Sequence, residues 1–204
     1  MTASIEPVPA RHGMSPRTPM LIGLLTFVVA LVMLSALAAA GYGVGDRLVR
    51  DVEMRVLVGR IEASEQQMGQ VQEQQARAVE SYDAGDLSAE QLQDQLVEIA
   101  QRGAENVAAA GERVAAVEWL SWHEDVEAAQ LAYLAHNRAW VGYLDAAAKD
   151  PSEFTRPQDA INETFEQAQQ PMLDAVPSWD PLDVRARVLK IFSDGQAGDG
   201  GPQA

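Results

Sequence analysis

The chain has 204 residues, 30 acidic against 15 basic, giving a formal net charge of −15, and 47% of its residues are apolar. That length allows one globular domain with accessory segments and enough apolar side chains for a core. The absence of cysteine excludes disulfides, thiolate metal sites and a cysteine nucleophile, and so acidic a balance excludes nucleic acid as a partner held by Lys and Arg against phosphates.

Residues 1–19 carry Arg11, His12 and Arg17 against the single acid Glu6, and are read as a short cytoplasmic tail. No side chain from Thr18 to Gly45 is charged. Its centre, 20–42, would reach about 34 Å as a helix, close to the thickness of a bilayer's hydrocarbon layer. A lone span in lipid must satisfy its own backbone hydrogen bonds, so a transmembrane helix is expected, with the membrane as its partner. The run Ala36-Leu37-Ala38-Ala39-Ala40-Gly41 resembles a signal-peptide cleavage site, but the apolar stretch exceeds a secretory core and favours an uncleaved anchor. Residues 43–45 read as a glycine-rich joint. Gly41 and Gly45 form a Gly-x-x-x-Gly pair at the edge of the apolar run, where a joint is a better reading than a dimer seam.

Beyond the joint, helical spacing dominates. Over 46–82, Met54, Leu57, Ile61, Ser64, Met68, Val71, Ala78 and Tyr82 recur at alternating steps of three and four, a heptad seam interrupted by Gln75. Asp83-Ala84-Gly85-Asp86 writes a stop. A capping box, Ser88 with Gln91, opens a second helix with Leu92, Leu96, Ile99, Ala110, Val114 and Val117 on one face, and its small residues Gly103, Ala104 and Ala108 to Gly111 predict a close neighbour. A second box, Ser121 with Glu124, predicts a third helix running to Lys149, ended by Asp150-Pro151. Thr155 is read as the cap of a fourth, with Pro157 in its first turn and Pro171 kinking or splitting it. Asp180, Pro181 and Asp183 predict the start of a fifth, with Trp179 and Val184 as a hydrophobic staple. Residues 193–204, rich in glycine, are expected to be disordered.

No strand-length alternation of apolar and polar residues occurs. The expectation is an all-α chain: an N-terminal transmembrane helix followed, over 46–192, by an extracytoplasmic antiparallel helical bundle of four to five helices.

Five of the eight Trp and Tyr residues fall between Trp119 and Tyr143. At 100° per residue Tyr133, His136, Asn137, Trp140 and Tyr143 share one side of the third helix. They are read either as the lining of a small-ligand pocket or as plain bundle core. His123 and Glu127 are spaced to meet a metal, yet the Glu-x-x-His steps of dinuclear bundle sites are missing, so neither metal nor other cofactor is expected. Gly-x-Ser-x-Gly, His-Glu-x-x-His and Ser-x-x-Lys are all absent, which argues against an enzyme. The layout resembles membrane-tethered helical sensor ectodomains, although those usually lie between two spans. The reading is a non-catalytic interaction module at the cell membrane, meeting another envelope protein or a second copy of itself. The alternative is a small-ligand or cation-binding domain using the aromatic face.

Overall fold

A computed structural model describes the backbone of residues 17–197 and the side chains of 29–37 and 41–193. The terminal segments 1–16 and 198–204, which hold most of the expected cytoplasmic tail and part of the expected disordered tail, lie outside the described residues. Five α-helices account for nearly all of the rest: α1 Arg17–Asp83, α2 Ala89–Ala115, α3 Glu124–Ala147, α4 Asp159–Ala175 and α5 Val184–Ala197. A 3-10 turn, Pro151–Thr155, separates α3 from α4, and no strand occurs among the described residues.

The chain divides into two units, Met1–Gly45 and Asp46–Ala204, with the boundary inside α1. In the first unit α1 is long and apolar enough to cross a membrane. Val29, Leu31, Val32, Met33, Leu34 and Leu37 are 52–70% exposed, a largely apolar surface interrupted by Ser35. Gly41, Gly43 and Gly45 are helical, not a break, and a Cβ at any of them would meet open space.

The second unit is a helical bundle. The heptad seam of α1 turns inward as the spacing predicts, with Met54, Leu57, Ile61, Ser64, Met68, Val71 and Ala78 all buried; only Tyr82, on the last turn, points out at 41% exposure. Gly85 closes the α1–α2 turn with a φ of 82°, a backbone state that L side chains rarely adopt. The Ser88 cap forms reciprocally: Gln91 N–H donates to Ser88 Oγ (3.2 Å) and Ser88 N–H to Gln91 Oε1 (2.8 Å).

Several helix ends differ from expectation. Ser121 and Glu124 form no capping box; α3 starts at Glu124 behind His123, whose ring is drawn instead to carboxylates of α1. Helix α3 stops at Ala147, short of Lys149, and Asp150 caps the 3-10 turn by accepting from Ser152 N–H at 3.0 Å. Thr155 therefore lies in that turn rather than capping α4, which begins at Asp159. Pro157 explains the delay, because it holds Arg156 extended (φ −85°, ψ 151°). Pro171 does not split α4; it sits in the last turns, where one ladder bond is all the helix forgoes. Helix α5 begins at Val184, since Asp183 adopts a φ of 54°, and Asp180 reaches forward to accept from Val184 and Arg185 N–H at 2.8 and 2.7 Å. Trp179 is 49% exposed, whereas Val184 is buried. Residues 193–197, expected as tail, continue α5.

The core falls into two apolar clusters. One centres on Met54, Leu57, Ile61, Val114, Tyr133, Phe165 and Phe192, the other on Met68, Val71, Ile99, Val107, Trp140, Leu144 and Ile161. Between them runs a polar band in which Ser64, His136 and Asn137 are buried. Helix α3 is the common wall, packed on α2 and α4 and hydrogen-bonded to α1.

Candidate functional site

The polar band is built by close approach. Asn137 Nδ2 donates to Ser64 Oγ and to the Val107 carbonyl, both at 3.1 Å, tying α3 to α1 and α2. Its side chain fits because Gly111 has none: a Cβ there would lie 2.3 Å from Asn137 Oδ1. Gly103 serves the other cluster likewise, where a Cβ would meet Val71 at 2.8 Å. The small residues of α2 thus let α1 and α3 close in at two heights.

On the other side of α3 the band opens into a cleft of about 620 Å³, of the size that holds drug-like molecules. Its walls come from Glu62, Glu65 and Met68 of α1, His136 and Trp140 of α3, Ile161 and Phe165 of α4, and Arg187, Lys190 and Ile191 of α5. Three groups set its chemistry. His136 is 2% exposed, and its Nδ1 lies 3.2 Å from the Ile161 carbonyl. A carbonyl only accepts, so the ring proton sits on Nδ1 and Nε2 keeps a lone pair. That Nε2 is buried without a hydrogen-bond partner. Burial pushes the imidazole down to about 4, with only the Ile161 carbonyl opposing, so the ring is neutral near pH 7. Glu65 Oε1 lies 3.6 Å from Nε2, too far for a hydrogen bond, and accepts instead from the Tyr133 hydroxyl at 2.7 Å. Desolvation raises the Glu65 carboxyl to about 7, more than the Tyr133 bond lowers it, and burial holds the Tyr133 phenol well above its ordinary value as a donor. At the rim, Arg187 grips Glu62 through two bonds, Nε at 2.8 Å and a second nitrogen at 2.6 Å.

Of the five residues expected to share a pocket, His136 and Trp140 line this cleft. Tyr133 stands behind it and acts through Glu65. Asn137 faces the other way, into the α1–α2 contact. Tyr143 packs edge-on against Trp140 and Phe154, and its hydroxyl accepts from Gln158, itself a lining residue. One helical stripe therefore serves two interfaces, since α3 has neighbours on both flanks. Glu65 went unrecognised because it lies in a Gln- and Glu-rich stretch that reads as solvated surface. Its place next to seam residue Ser64 was the available signal.

His123, weighed above as a metal ligand, is fully buried at the head of α3. Nδ1 bonds Glu53, and Nε2 lies 3.1 Å from Asp46 Oδ1. Burial alone would lower this imidazole, but the two carboxylates outweigh it and raise it. Glu53 also accepts from Leu120 N–H (2.7 Å), and Asp46 from the Trp122 indole (2.9 Å). The acids meet opposite edges of the ring and do not converge on one point, so the arrangement fastens the α2–α3 connection to α1. Nearby, the buried carboxyl of Asp51 is raised to about 6 by burial and by Asp180, the α5 cap.

Compared with known proteins, the chain matches no family model, no curated protein and no solved structure. Its chemistry is therefore read from its own side chains.

Proposed function

We propose that the bundle is a non-catalytic receptor domain for a small organic molecule. It is anchored by the apolar stretch of α1 and displayed outside the cytoplasm as an antiparallel array of helices. The observation that carries this reading is the buried, unpartnered Nε2 of His136, a residue that lines a cleft of ligand size. A buried polar atom without a partner costs about 1–3 kcal/mol, a cost that a bound ligand would remove. The anchor and its orientation are supported by the uncharged run and by the two arginines that precede it.

The test is a thermal-shift screen of the full-length chain in non-ionic detergent against a small-molecule library. Compounds that bind only the native state raise the melting temperature. Hits whose effect shrinks in His136→Phe support the reading; a library that shifts nothing, or hits indifferent to that substitution, contradicts it. A C-terminal reporter active only outside the cytoplasm tests the orientation.

A second reading, the protein-interaction module, is favoured by one feature. Leu48, Val49, Val52 and Val56 of α1 are 41–53% exposed, an apolar stripe opposite the buried seam. Affinity capture from membranes that loses its partner, or its second copy, in Val52→Glu would support this reading. Capture with no reproducible partner would count against it.

A further inference from the structure

We infer that the molecule held in this cleft is an amine on an apolar body, bound as its ammonium ion, with N–H groups donating to His136 Nε2 and to the Glu65 carboxylate. The inference rests on the small-ligand reading above and names the ligand's class.

The deep polar atoms of the cleft are acceptors. The single imidazole proton is spent on the Ile161 carbonyl, which leaves Nε2 a lone pair. The Glu65 carboxyl already accepts a hydrogen bond from the Tyr133 hydroxyl at Oε1 and lies 3.6 Å from Nε2, so one donor group can serve both. A hydroxyl would satisfy one acceptor and leave the carboxylate's charge unmatched, whereas a carboxylate ligand would face both a lone pair and a like charge. Trp140 lies one turn from His136 on the same face of α3, and its ring attracts cations. Met68, Ile161, Phe165 and Ile191 supply apolar wall for the rest of the molecule. The basic groups nearby do not reverse this preference. Arg187 is held by Glu62, and Lys190 is exposed at the mouth, where water screens its charge. The chain's net charge of −15 concentrates cations around it.

Binding should also be linked to protons. The charged and titratable groups around Glu65 are Glu62 on its own helix, Tyr133 and His136 on α3, and Arg187 and Lys190 on α5, while α4 lends the lining only neutral side chains. An ammonium ion needs the ionised Glu65, whose carboxyl titrates at about 7, so affinity falls as pH drops from 8 to 6, by about tenfold.

The full-length chain in dodecyl maltoside micelles is titrated calorimetrically with tryptamine, with tryptophol and with indolepropionate, which share one ring system and differ in head group. Tryptamine is expected to bind at least about tenfold tighter than the other two, and Glu65→Gln to remove both that margin and the pH dependence. Tryptophol or indolepropionate binding as tightly as tryptamine overturns the amine assignment and leaves the small-ligand reading standing. The same holds if tryptamine's affinity is unchanged in Glu65→Gln, a partly exposed position where the substitution spares the fold. A chain that responds to none of the three, nor to any library compound, overturns both.

Discussion

The two histidines at the head and in the middle of α3 are both buried beside carboxylates, yet their surroundings drive them in opposite directions. His123 has an acid within bonding reach of each ring nitrogen, and the pair overcomes burial to favour the imidazolium. His136 has a carboxyl only at 3.6 Å, and its one proton is committed to a backbone carbonyl, so burial wins and the ring stays neutral. Nearness of a carboxylate does not decide the outcome; hydrogen-bond reach does. The first histidine is a fastening and the second an open acceptor.

The largest expected effect tests that contrast directly. His136 titrates at about 4 in the folded chain and near 6.5 when unfolded. Between those values the unfolded state takes up a proton that the folded state refuses. Its contribution is therefore complete above pH 6.5 and is lost as pH falls toward 4, a change of about 3 kcal/mol. Glu65 offsets this slope in the wild type, so denaturant titrations across the range should show it in Glu65→Gln and lose it once His136→Phe is added. A profile flat over that range in Glu65→Gln alone, where the opposing carboxyl is gone, would break the contrast.

Gly111→Ala comes next. A new Cβ 2.3 Å from Asn137 Oδ1 must displace a side chain held by two hydrogen bonds. The intrinsic helical gain of Ala is outweighed, and a net loss of about 2 kcal/mol is expected. Adding Asn137→Ala should recover part of the loss, because the two changes share one contact.

At the head of α3, His123→Gln should cost about 2 kcal/mol where the imidazolium is fully formed, the value of a hydrogen bond to a charged group. His123 has a raised folded value, so its contribution is complete below pH 6.5 and fades as pH rises through that value. The gap between wild type and His123→Gln should accordingly narrow in alkaline solution. A gap that widens would show that the ring is neutral in the folded state.

Much of this arrangement was legible in the sequence, and the missing parts share a physical cause. The α1 seam and the Ser88 cap depend on residues a few positions apart, and both stand where spacing puts them. His136 and Trp140 could be placed on one face of one helix. Which neighbour that face meets could not, because α1, α2 and α4 reach α3 through contacts 25 to 73 residues away. The Ser121 cap failed for the same reason: a local hydrogen bond competes with a long-range one, and Glu53, 70 residues from His123, claims the chain at that point. Glu65 shows the limit most plainly. In sequence it is one acid among many; only the fold places it against Tyr133 and His136.

The smallest expected effect concerns that carboxyl. Glu65 titrates at about 7 folded against 4.5 unfolded, so its contribution is fully present below pH 4.5 and is lost as pH rises through 7. Near pH 8 the folded state carries a charge that its surroundings disfavour, and Glu65→Gln should then stabilise the protein. About a quarter of the side chain reaches the cleft, where water screens it, so a gain of about 1 kcal/mol is expected. The sign matters more than the size. As pH rises from 4 to 6.5 His136 adds stability while Glu65 removes it, so the band holds its stability nearly level with both groups neutral. A gain at pH 8 that vanishes at pH 4 would mark Glu65 as a charge kept at a cost for something other than folding. A loss at both values would reduce it to a bonding partner for Tyr133.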